Sequence, residues 1–111
     1  MAHALDRHVA LIGFMGAGKT TLGLEVADRL GRRLVDLDHE LAQSARRTIP
    51  QLFEERGEAG FRVLEAEATI AALHNERPAV LALGGGAVET PKIRRALKEH
   101  ALTVHVEVDH L

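Results

Sequence analysis

Short runs made almost wholly of apolar residues alternate along the chain with longer stretches in which apolar positions recur every three to four residues. His8-Val9-Ala10-Leu11-Ile12 is one such run and ends at Gly13; Ala79-Val80-Leu81-Ala82-Leu83 is another and leads into Gly84-Gly85-Gly86. A run without polar alternation suits a strand covered on both faces, as in parallel sheets. Arg33-Leu34-Val35-Asp36 reads as a shorter strand, and Thr103-Val104-His105-Val106-Glu107-Val108 as a fourth. Between Lys19 and Leu30, Leu22, Val26 and Leu30 repeat at i+4, and Gly31 then stops the helix. A short helix is expected to open near Asp38, with that carboxylate as its cap, and to close by Ser44 or Arg46. Thr48 is placed to cap the next helix, with Pro50 in its first turn and Gly57 past its end. A further helix runs from Phe61 to His74, and Thr90 opens the last, from Pro91 to His100. Strands alternating with helices predict the α/β class: a parallel sheet wound by right-handed crossovers, with helices on both faces.

Composition narrows the chemistry. The 111 residues are 46% hydrophobic and 27% charged, which fits one globular domain and argues against a disordered chain. Fourteen basic against sixteen acidic residues give a net charge of −2, so nothing draws the chain generally to nucleic acid or to an anionic membrane. Cysteine is absent, which removes disulfides, thiolate metal sites and cysteine nucleophiles. Without Trp or Tyr, and with three Phe, there is no base-stacking platform for single-stranded nucleic acid. No apolar run approaches the roughly eighteen residues of a membrane span, and no signal peptide is evident. A soluble, cytoplasmic protein is expected, with neither membrane nor nucleic acid as partner. Its histidines are scattered, with no pair at metal-ligand spacing on an evident helix.

In open α/β sheets ligands bind beyond the carboxyl ends of the strands. Three of the expected strands end in glycine or acid there: Gly13 onward, Asp36-Leu37-Asp38, and Gly84 to Gly86. The first of these, Gly13-Phe14-Met15-Gly16-Ala17-Gly18-Lys19-Thr20, fits G-x-x-x-x-G-K-[ST] between a strand and a helix, the context of a P-loop. Its glycines let backbone N–H groups curl inward toward phosphate oxygens, and the first turn of the helix adds further donors. Lys19 supplies an ammonium for the β- and γ-phosphates, and Thr20 a hydroxyl for Mg²⁺. A plain glycine-rich turn accounts for the glycines but not for Lys-Thr at this point. The class sharpens to a three-layer P-loop NTPase-type sheet.

The Mg²⁺ shell of such a site also needs a carboxylate at a strand end. The third strand ends in glycine, so Asp36 on the second is the candidate. Asp38 shares its side if the chain stays extended, and is left for an acceptor hydroxyl as orienting or proton-accepting group; the alternative is a simple helix cap. Arg62 offers a planar fork for a carboxylate, or simply pairs with Glu58 or Glu65 on a solvated helix face. The triple glycine permits close approach of backbone to a small ligand, or merely makes a tight loop.

Taken together these segments resemble the shikimate kinases, over nearly the whole chain from His8 to about Val108. The resemblance rests on Gly-Phe-Met-Gly-Ala-Gly-Lys-Thr-Thr at 13 to 21, Asp36-Leu37-Asp38, Thr48-Ile49-Pro50-Gln51-Leu52-Phe53, Gly60-Phe61-Arg62-Val63-Leu64-Glu65 and Leu83-Gly84-Gly85-Gly86-Ala87-Val88. It implies ATP-dependent phosphorylation of a shikimate hydroxyl, with Mg²⁺ as cofactor and ATP and shikimate as the partners. By resemblance Gly16, Ala17, Gly18, Lys19, Thr20 and Thr21 hold ATP, Lys19 and Asp38 are catalytic, and Thr20 and Asp36 serve Mg²⁺. Asp38 then contacts the acceptor hydroxyl, Arg62 the shikimate carboxylate, and the backbone at Gly84, Gly85 and Gly86 the ring hydroxyls. Phe53 and Phe61 line the pocket, and Glu65 positions Arg62.

Shikimate kinases continue beyond the point matching Leu111 with a lid carrying an arginine, a helix with a second carboxylate-binding arginine, a fifth strand and an adenine-contacting loop. The expectation is therefore one incomplete kinase domain over residues 1–111, four strands present and the carboxyl-terminal part missing. It is expected as a monomer or as part of a longer or fused chain. Efficient turnover by these 111 residues alone is not expected, since lid closure excludes water and completes the charge clamp. The rival readings are another small-molecule kinase of the same architecture, such as a gluconate kinase, and a nucleotide-binding module without catalysis.

Overall fold

A computed structural model describes residues 6–13 and 18–106, with backbone alone for 18–20. The elements run β1 (His8–Gly13), α1 (Gly18–Leu30), β2 (Leu34–Asp36), α2 (Leu37–Ala45), α3 (Ile49–Leu73), β3 (Val80–Ala82), a 3₁₀ turn (Ala87–Glu89), α4 (Pro91–His100) and β4 (Ala101–Val106). Among the described residues the sheet has four strands in the order β2-β3-β1-β4, and every pairing is parallel.

Period-two alternation within each strand divides the core between the two faces. Val9, Leu11, Val80 and Val106 pack with Ala27 of α1 on one face. Ala10, Leu81 and Leu83 pack with Ala66 and Leu73 of α3 and Ile93 and Leu97 of α4 on the other. A third cluster, Leu41, Leu52 and Phe61, ties α2 to α3 beside the sheet. This is the expected three-layer α/β arrangement. The strand order also fixes the site. From β1 the chain crosses to β2, and from β3 it crosses to β4 on the opposite side of β1, so β1 and β3 flank the switch point where ligands enter.

Local structure departs from expectation in four places. α2 begins at Leu37, and its cap is Asp36 rather than Asp38: Asp36 is extended (φ −89°, ψ 110°) and accepts from the His39 N–H at 3.2 Å. Asp38 thus lies in the first helical turn, and the alternation invoked to put it beside Asp36 does not hold. The two helices expected around Gly57 form one element kinked there, because Gly57 alone takes a left-handed φ of 71° and the helix resumes at once. β4 starts at Ala101, two residues early, since α4 passes directly into it. Thr90 takes the cap position of α4 but makes no side-chain cap hydrogen bond. Thr48 does cap α3, and Gln51 reciprocates by accepting from the Thr48 N–H at 2.9 Å. The proposed ends of β4 at 107 and 108 lie outside the described residues.

Candidate active site

The strand-loop-helix frame of the phosphate loop is in place: β1 ends at Gly13 and α1 starts at Gly18. Gly13 has φ +117°, a conformation open to glycine and rarely to other residues. Gly16, Ala17 and the side chains of Lys19 and Thr20 lie outside the described residues. Thr21 is exposed on the first turns of α1.

Beside the carboxyl end of β1, the chain leaving β3 meets two opposite charges. A methyl group built on Gly84 would fall 2.9 and 3.0 Å from the carboxylate oxygens of Asp38. One built on Gly86 would strike the guanidinium of Arg62, with Cζ and Nη1 each at 2.8 Å and Nη2 nearer still. The glycines are therefore not a generic tight loop: bare backbone is the condition for Asp38 and Arg62 to lie this close to it. Asp38 arrives from α2, Arg62 from α3 and the glycines from β3, so three separate elements build one cradle.

Arg62 is held from several sides. Its Nη1 donates to Glu65 Oε1 at 2.9 Å, and the Glu65 side chain is only 4% exposed. Of the two carboxylates the sequence offers, Glu65 is thus the partner, buried itself, while Arg62 keeps a quarter of its side chain exposed. Phe53 and Phe61 stack with ring centroids 4.2 Å apart, and Arg62 Cζ stands 5.8 and 5.5 Å from those two rings, within cation–π range. Burial pushes the Glu65 carboxyl above its usual range; the hydrogen bond and charge of Arg62 pull it down, and the nearby charge of Asp38 raises it again. Asp38, Phe53, Phe61, Arg62, Glu65 and the triple glycine are thereby brought together. Nothing in the spacing of residues signalled which glycine meets which charge.

Asp36 sits at the end of β2, half-buried, and one carboxylate oxygen is engaged by the His39 N–H. It makes no ion pair among the described residues. A hard oxygen donor of this kind suits Mg²⁺, which takes one or two protein ligands and fills its octahedron with water and phosphate. No group of three or more His, Cys, Asp or Glu able to hold a metal occurs among the described residues, so they contain no all-protein cage.

A family model for shikimate kinase matches residues 15–110. The chain belongs to the shikimate kinase family. A shikimate kinase of Burkholderia pseudomallei strain K96243 is 47% identical over 108 residues, covering 96% of this chain and 58% of the relative. That of Bacillus subtilis is 38% identical over 103 residues, or 93% of this chain and 55% of the relative. Among solved structures, the shikimate kinase of Acinetobacter baumannii in complex with shikimate superposes with a TM-score of 0.88 at 39% identity, over 93% of this chain and 57% of that one. The Aquifex aeolicus shikimate kinase gives 0.84 at 33% identity, over 92% and 60%. The chain thus spans between 55% and 60% of the length of these four shikimate kinases. No helix among the described residues is long and apolar enough to cross a membrane.

Proposed function

We propose that this chain carries the nucleotide loop and acceptor cradle of a kinase that moves the γ-phosphate of ATP to a ring hydroxyl of shikimate, giving shikimate 3-phosphate and ADP. The observation that carries this reading is the placement of Asp38 and Arg62 against Gly84 and Gly86 at the switch point, beside the exit of β1. Membership of the shikimate kinase family supports it, as does the bound shikimate of the Acinetobacter neighbour.

Each group then has one task. The Arg62 fork, pinned by Glu65 and the Phe53–Phe61 pair, binds the acceptor carboxylate and so fixes the ring. The glycine backbone lies against the ring hydroxyls without steric obstruction. Asp38 orients the reacting hydroxyl and accepts its proton as oxygen attacks phosphorus and the bond to the ADP oxygen breaks. The loop from Gly13 to Thr20, with Lys19, grips the phosphates. Asp36 and Thr20 would hold Mg²⁺, which when bound neutralises charge on the phosphates. The 111 residues are read as one P-loop domain.

The test is a coupled assay of ADP release, at the protein's full natural length, with shikimate, with gluconate and without acceptor. Shikimate-dependent release is the expected result. Release with gluconate alone, or nucleotide binding with no acceptor-dependent release, would each replace this reading. Asp38→Asn should abolish transfer while ATP still binds; unchanged turnover would remove Asp38 from the mechanism.

A further inference from the structure

Opposite the cradle, at the amino ends of β2 and β3, a second concavity collects positive charge. α1 ends at Leu30, and Gly31 turns the chain with φ +63°. The Arg32 N–H closes back on the Ala27 carbonyl at 2.8 Å, so Arg32 and Arg33 lead straight from that turn into β2. Leu34 pairs with Val80, and the Val80 N–H donates to the Arg33 carbonyl at 2.9 Å, which sets the entry to β2 beside the entry to β3. Leu30, Gly31, Arg32 and Arg33 from one side and Arg77 and Pro78 from the other line a cleft of about 660 Å³.

Three arginines line this cleft and no acidic residue does, in a chain whose net charge is −2. Other exposed arginines find acids: Arg29 pairs with Glu25 at 3.1 Å and Arg47 with Glu55 at 2.9 Å. Arg33 and Arg77 are exposed and form no ion pair among the described residues. Arg32 is half-buried and anchored, its Nη1 donating to the Arg7 carbonyl at 2.6 Å. Like charges gathered in a cleft repel one another, and apolar walls, here Leu30 and Pro78, focus their field on whatever enters. The volume falls within the roughly 300–1,000 Å³ of small-molecule sites, and each arginine offers a planar fork that takes two phosphate oxygens at once. One phosphate monoester carries about −1.5 to −2 at neutral pH, so two are needed to match three arginines. We infer that this cleft binds a small molecule bearing two or more phosphate groups, held by Arg32, Arg33 and Arg77. Asp38 and the glycines of the cradle follow the opposite ends of the same two strands, so this ligand does not displace an acceptor bound there. The site uses none of the residues assigned to nucleotide or acceptor and stands apart from the kinase reading.

The experiment is an amide-resolved NMR titration of the protein, at its full natural length, with inorganic pyrophosphate at constant ionic strength and without Mg²⁺. Citrate and chloride serve as comparison anions. Saturable shifts should appear at the amides of Gly31, Arg32, Arg33 and Arg77, and citrate should bind there more weakly. Arg33→Gln and Arg77→Gln should each weaken pyrophosphate at these amides about tenfold, whereas Arg29→Gln, outside the cleft, should not. Arg77→Lys keeps the charge but loses the fork, and should weaken it about threefold, so the outcome does not depend on the glutamine variants folding. Pyrophosphate held by the phosphate loop would shift amides at the start of α1 instead, and the arginine substitutions should leave those shifts unchanged. A drift that never saturates and is matched by chloride would mean diffuse screening and overturn the inference. Parental affinity at the cleft amides in both glutamine variants, or citrate bound more tightly than pyrophosphate, would overturn it as well.

Discussion

Gly86→Ala tests the proposed acceptor cradle with one methyl group. The backbone at Gly86 has φ −98° and ψ 0°, which alanine adopts, so the substitution meets no conformational penalty. Its Cβ does meet Arg62, at 2.8 Å from both Cζ and Nη1. Carbon contacts settle near 3.5 to 4.0 Å, so the guanidinium must retreat by about 0.7 Å or more. Retreat strains or breaks its bond to Glu65, and it withdraws the fork from a carboxylate bound over the glycines. Hydrogen bonds to charged groups contribute about 1.5–3 kcal/mol, and each 1.4 kcal/mol is tenfold, so shikimate should bind roughly 10- to 100-fold more weakly. The lost Arg62–Glu65 bond is partly offset by about 0.4–1 kcal/mol from a stiffer unfolded chain, leaving a net destabilisation of about 1–2 kcal/mol. Calorimetric titration with shikimate and with ADP reads the effect, and ADP affinity should not change. In an Arg62→Ala background the same methyl should have almost no effect on shikimate, because the group it displaces is gone. Parental shikimate affinity in Gly86→Ala, or an equal loss in both backgrounds, would refute the reasoning.

Three further outcomes follow from the same geometry. Gly84→Ala puts a methyl within 3.0 Å of both Asp38 oxygens, so steady-state kinetics should show kcat falling about a hundredfold, with a smaller change in shikimate KM. Glu65 has its folded pKa raised by burial above the ordinary value of 4.5, so the native state holds its proton more tightly than the unfolded chain. Its contribution to stability is full below pH 4.5 and is lost as pH rises through the raised folded value; urea midpoints of Glu65→Gln across that window should show a flatter profile than the parent. His8 is 4% exposed at the amino end of β1, where Nδ1 accepts from the Ala79 N–H at 3.1 Å and Nε2 donates to the Asn75 carbonyl at 2.9 Å. His8→Ala leaves the buried Ala79 N–H unpaired, while the carbonyl of exposed Asn75 turns to water, and should cost about 1–3 kcal/mol by urea unfolding; a loss below ~0.5 kcal/mol would show that water replaces both bonds.

Much of this fold is legible in the sequence because parallel strands are covered twice and so read as unbroken apolar runs, as at 8–12 and 79–83. The phosphate loop is legible for a different reason: Lys-Thr after spaced glycines has no use in a bare turn. The start of α2 is not legible, because Asp36 and Asp38 are both competent caps and only the extended backbone at Asp36 decides between them. The break at Gly57 was visible, but its length was not, since Gly60 also looks like a helix breaker and is in fact helical. The partner of Arg62 was ambiguous because Glu58 and Glu65 are both at helical spacing. Burial of Glu65 resolves it, and burial is a property of the packed chain. The pairing of Gly84 with Asp38 and of Gly86 with Arg62 joins residues some twenty to fifty positions apart, so no local pattern encodes it.

The most direct single measurement is a crystal structure with shikimate bound. Its carboxylate should rest on Arg62, with a ring hydroxyl within hydrogen-bonding reach of Asp38, about 2.6–3.2 Å, and the ring against Gly84 to Gly86. Shikimate lodged elsewhere, or seated in the cleft with Arg62 still turned wholly to Glu65 and Asp38 out of reach, would contradict the cradle.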